Sequence, residues 1–99
     1  MLHPLEGEFL QRGKRIGGVF VLPPDAARDL VARAREENIP VLGVDAFRFV
    51  GGAIQPLMEE SANYSDLVPS SGFNSWDAAD GHIEQRQEGT LHFEIVLGE

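Results

Sequence analysis

The chain has 99 residues, 42% hydrophobic and 24% charged, and no cysteine; this is the composition of one globular domain rather than of a disordered acidic tail. Without cysteine there is no disulfide framework, thiolate nucleophile or cysteine metal site. A net charge of −8 argues against nucleic acid and anionic membranes as partners and favours cationic ones.

All of that charge lies in the second half. Residues 1–48 carry seven acids and seven bases, whereas residues 49–99 carry nine acids and a single base, Arg86. The first ten residues, with Pro4, Glu6 and Glu8, lack the basic start and apolar run of a secretory signal. No stretch approaches the roughly 18 apolar residues of a membrane span. Together with the missing cysteines, this predicts a cytoplasmic protein.

In chain order, Met1–Arg15 shows no clear period and reads as irregular, with a short strand at Glu8–Leu10. Ile16–Leu22 is rich in β-branched and aromatic residues and reads as one strand, with Gly17–Gly18 as a bulge or close approach and Pro23 as its end. A helix follows. Pro23 and Pro24 suit its entry, and Ala27, Leu30, Val31 and Ala34 form an apolar stripe. Asp29 and Arg33 form an i,i+4 pair on its wet side. Asn38 stops it in a left-handed cap, and Pro40 forbids continuation.

Val41–Val50 is a long strand, Gly51–Gly52 a two-residue hairpin turn, and Ala53–Met58 its return. Pro56 belongs at a sheet edge or bulge. Glu59–Phe73 is polar and turn-rich and reads as a long loop. A second helix starts at Asn74 or Ser75, turns Trp76, Ala79 and Ile83 inward, and ends near Gly89. Leu91–Leu97 closes the chain with Leu91, Phe93, Ile95 and Leu97 on one face. The order β-α-β-β-α-β predicts an α+β domain: a four-stranded, mainly antiparallel sheet with two helices on one face. Leu30, Val31, Val44, Ile83, Phe93 and Ile95 should form its core.

Signals for chemistry are sparse. Asp45 lies in mid-strand on the side of Phe47 and Phe49; held among apolar groups, it is the one candidate for a general acid or base. His3, His82 and His92 show no metal-ligand spacing, and the loop serines lack a nucleophile elbow. Arg12, Lys14 and Arg15 are too few for a nucleic-acid patch. No metal or cofactor is expected.

The acidic residues make a stronger pattern. Glu59, Glu60 and Asp66 flank the long loop, and Asp77, Asp80 and Glu84 follow along the second helix, with Tyr64, Phe73 and Trp76 among them. Aromatic anchors set among carboxylates suit an interface with a basic protein. The stretch from Val44-Asp45-Ala46-Phe47 through Ile54-Gln55-Pro56 to Tyr64-Ser65-Asp66, with the ending Ser75-Trp76 to Phe93-Glu94, is similar in style to small acidic bacterial immunity proteins. That resemblance implies stoichiometric inhibition of a basic toxin or nuclease, with no catalytic residues.

The reading is therefore a small acidic protein-binding module, monomeric or homodimeric, contacting its partner through those nine residues. The alternatives are a small ligand-binding domain or enzyme using Asp45, and a homodimeric structural domain.

Overall fold

The computed structural model describes residues 3–68, 73–87 and 91–98. Its elements are α1 (Pro4–Gly7), β1 (Lys14–Ile16), β2 (Val19–Val21), α2 (Pro24–Glu36), β3 (Val41–Val50), β4 (Ala53–Asn63), α3 (Ser75–Glu84) and β5 (Leu91–Leu97). β4, β3 and β5 form a three-stranded antiparallel sheet in that order, and among the described residues β1 pairs only with β2.

This corrects the expected single four-stranded sheet. Gly17 and Gly18 have φ of +58° and +83°, the positive values a two-residue hairpin turn requires. The turn splits the expected strand at Ile16–Leu22 into two short arms. Pro23 ends the second arm so early that it meets the main sheet at one bridge, where Leu22 and Phe93 exchange backbone hydrogen bonds of 2.8 Å. The N-terminal segment also differs from expectation. Pro4 opens α1, the His3 ring accepts from the Leu5 N–H, and Glu6 reaches back to the His3 N–H. No strand forms at Glu8–Leu10; the chain turns there and buries Phe9.

α2 ends as its sequence demands. Asn38 has φ of +57°; the Ile39 N–H reaches the Ala34 carbonyl and the Asn38 N–H that of Arg35, the paired bonds of a Schellman cap. The expected Asp29–Arg33 pair does not form: Arg33 binds Glu8, Glu36 and Glu37, while Asp29 binds Arg12.

The β3–β4 hairpin turns at Gly51–Gly52, with φ of +56° and +85°. A two-residue turn closes on a hydrogen-bonded pair, Val50 with Ala53, and alternation then directs Gln55 and Leu57 toward β3. Pro56, between them, puts its missing N–H on the outer edge, where it costs no ladder bond and blunts edge-to-edge pairing.

β4 does not stop at Met58. Between Leu57 and Ala62 it makes a wide bulge against Asp45. Ser61 fills the gap: its hydroxyl accepts from the Ala46 N–H at 2.9 Å and donates to the Leu57 carbonyl at 2.8 Å. Pairing then resumes at Ala62 and Asn63, inside what reads from the sequence as loop.

α2 packs beside α3; α2 lies over β5 and α3 over β3. All six expected core residues are buried, and Phe20, Leu22, Val41 and Leu91 join them. No helix among the described residues is long and apolar enough to cross a membrane.

Candidate functional site

α3 begins where the Asn74 side chain accepts from the Asp77 N–H at 3.0 Å. Its first residue, Ser75, is buried, and its hydroxyl accepts from the Val41 N–H at 3.1 Å. The Trp76 indole N–H donates to the Ile39 carbonyl at 2.7 Å. That bond and its packing against the core hold the helix to the start of β3. Trp76 leaves part of its ring in a groove of about 200 Å³ between α2 and α3, lined also by Arg28, Val31, Ala32 and Arg35.

The acids along α3 are not a bare negative face. Arg28 makes two hydrogen bonds to Asp80, at 2.8 and 3.2 Å, and lies 3.9 Å from Glu84. Arg35 binds Asp77 at 3.0 Å. Each base lies on α2, in the charge-neutral half of the chain. Asp80 and its neighbours accordingly raise the pKa of the Arg28 guanidinium.

The remaining candidates fall elsewhere. Tyr64 is buried; its N–H continues the β3–β4 ladder to the Leu42 carbonyl, and its ring lies 5.7 Å from that of Phe73. Burial pushes the Tyr64 hydroxyl pKa up, with Arg86 acting weakly against it. Glu60 faces α3 from the bulge, where its carboxylate binds Arg86 at 2.6 Å and its carbonyl meets the His82 ring. Glu59 and Asp66 are exposed, and among the described residues neither makes an ion pair. The nine residues thus occupy three places: the α2–α3 seam, the β4 bulge, and the turn after Asn63.

Asp45 lies on the sheet face away from the helices, directly opposite Glu94 of β5. Glu94 has its pKa raised, first by burial, then by the charges of Asp45 and Glu6, and also by a side-chain hydrogen bond with Asp45. Beside Asp45 the face opens into a hollow of about 270 Å³ floored by Leu42, Gly43 and Val96, with Asn63 and Ser65 on its wall. The Ser65 hydroxyl donates to Asn63 Oδ1 at 2.7 Å, and the Ser65 N–H to the same atom at 2.9 Å. The serine proton is therefore directed to an amide oxygen rather than to Asp45. The other end of the face is closed: Phe49 meets His92 edge-on at 4.5 Å, and the Lys14 ammonium sits 5.1 Å from the centre of the Phe49 ring.

The three histidines stay apart, at the α1 cap, on α3 and on β5. Among the described residues no cluster of three His, Asp or Glu could hold a metal. No protein-family model matches the chain, and no curated protein matches it.

Sequence reasoning singled out Asp45 but missed the residues around its hollow. Asn63-Tyr64-Ser65 carries a signal, because an asparagine accepting from the second residue on is a common turn device. Gly43 and Val96 carried none, since their juxtaposition depends on strand order.

Proposed function

We propose that this chain is a binding module for a basic protein, in the manner of the acidic inhibitors it resembles. One observation carries the reading. Arg12, Arg28, Arg33, Arg35 and Arg86 each form an ion pair within the chain, so the surplus carboxylates are left for an outside partner. Glu59 in the β4 bulge and Asp66 in the turn after Asn63, both exposed, head that surplus. Opposite charge there steers encounter and suppresses wrong partners more than it adds affinity.

Partner capture from the source organism's lysate, followed by association kinetics, tests this. Glu59→Lys combined with Asp66→Lys should cut the on-rate on the order of tenfold at low salt, with a smaller loss as salt rises. A partner whose binding ignores both salt and the double reversal would overturn the reading. These two residues are better probes than Asp77 or Asp80, whose reversal would set a lysine against Arg35 or Arg28.

A further inference from the structure

We infer that the hollow beside Asp45 receives a basic side chain of a protein partner, its charged head against the Asp45 carboxylate and its stem along Leu42 and Val96. The inference rests on the basic-partner reading above and adds the place and chemistry of contact.

Three features select that occupant. The first is room. Gly43 leaves the floor bare, and a Cβ there would stand 3.0 Å from the Ala62 carbonyl oxygen, so the hollow is not easily filled from within. The second is hydrogen-bond polarity. The Ser65 hydroxyl has committed its proton to Asn63 and offers the hollow only lone pairs, which suit a donor such as an ammonium or guanidinium. The third is charge. Asp45 and Glu94 oppose each other across the ladder, and like charges in that position are destabilising. The nearby base on this face, Lys14, is engaged with Phe49 at the far end. A cation arriving at Asp45 relieves the repulsion, while the apolar floor accepts the methylene stem that lysine and arginine lay along such surfaces.

The test uses the full chain, isotopically labelled, titrated with acetyl-Gly-Arg-Gly-amide and with the same peptide carrying citrulline, which keeps the shape and loses the charge. Saturable shifts confined to the amides of residues 42–45, 63–65 and 96 are expected with arginine. They should weaken at least tenfold with citrulline and in Asp45→Asn. Asp25→Asn removes the same charge from an exposed helix position and should leave them unchanged. Equal weakening in the two variants would mean net charge alone, and equal binding of citrulline would mean shape alone; either overturns the inference. Shifts scattered over the acidic surface, or none, overturn it as well. The citrulline comparison needs no variant and stands even if Asp45→Asn folds poorly. Concentration-dependent dimerisation abolished by Arg15→Ala would assign the hollow to a second copy of this chain and also refute a foreign partner. Localised arginine binding without any captured partner would keep the site and remove the function proposed above; a captured partner indifferent to Asp45→Asn would do the reverse.

Discussion

Ser75→Ala examines the joint on which the candidate surfaces depend. The Ser75 hydroxyl is the acceptor for the Val41 N–H at 3.1 Å; Val41 is fully buried and Ser75 is 5% exposed. Water cannot readily replace the lost partner, so the stranded N–H should cost about 1–3 kcal/mol. Alanine is the better helix former and returns up to about 0.5 kcal/mol. The net loss is then about 0.5–3 kcal/mol. In a chain of this size each kcal/mol moves the thermal midpoint by about 4–8 °C. Urea unfolding gives the free energy, and amide exchange shows where it acts: protection at Val41 should fall more than protection at Val44 or Ile95. An unchanged midpoint with unchanged exchange at Val41 would refute the argument, and with it the docking of α3 onto β3 that aligns Trp76 with Ile39.

Leu30 is fully buried under the sheet, so Leu30→Ala should destabilise by about 2–5 kcal/mol in denaturant unfolding; a loss below about 0.5 kcal/mol would mean that the site is exposed. Glu94 holds its proton more tightly when folded than when unfolded, so its contribution to stability is lost as pH rises from the ordinary carboxylate value through its raised one. Glu94→Gln should therefore match the wild type near pH 4 and exceed it at pH 7 by about 0.2–1 kcal/mol, the scale of one like-charge cross-strand contact. Equal midpoints at pH 7 would contradict the crowding of Asp45, Glu94 and Glu6. Glu8 has the opposite sign, because its bonds to Arg33 lower its pKa and their stabilisation fades only in acid.

Legibility in the sequence followed the range of the interactions. α2, β3, the Gly51–Gly52 turn and β5 were readable because period, caps and turn residues are local; Asn38 takes the left-handed cap foreseen for it. The Gly17–Gly18 turn bears the same signature as Gly51–Gly52, but its arms are only three residues each, too short to show a period of two. The extension of β4 to Asn63 was hidden for another reason. It depends on Ser61 bonding to Ala46 fifteen positions earlier, and a serine in a polar run reads as loop until its partner is known. For the candidate residues, the types were readable and their grouping was not. Tyr64 looks like an exposed anchor in a polar stretch yet is buried, and Trp76, read as turned inward, is tied to Ile39 and packs against the core.

The charge asymmetry of the chain takes a different meaning once α2 lies beside α3. Read linearly, the second half is a negative block and the first half neutral. In the fold, Arg28 and Arg35 of the neutral half neutralise Asp80 and Asp77 of the acidic one. Their own half is then left with acids that α2 no longer balances, and Asp45 is among the acids outside these pairs. The surplus is conserved but moved from the helix seam toward the sheet. Exposed ion pairs add little to stability individually, so these two pairs are not what holds the fold together. Their consequence is spatial: the carboxylates of β3, β4 and β5 are left without a base from α2. A partner that instead bound the α2–α3 groove would have to displace two formed ion pairs before gaining any of its own, whereas at Asp45 it displaces none.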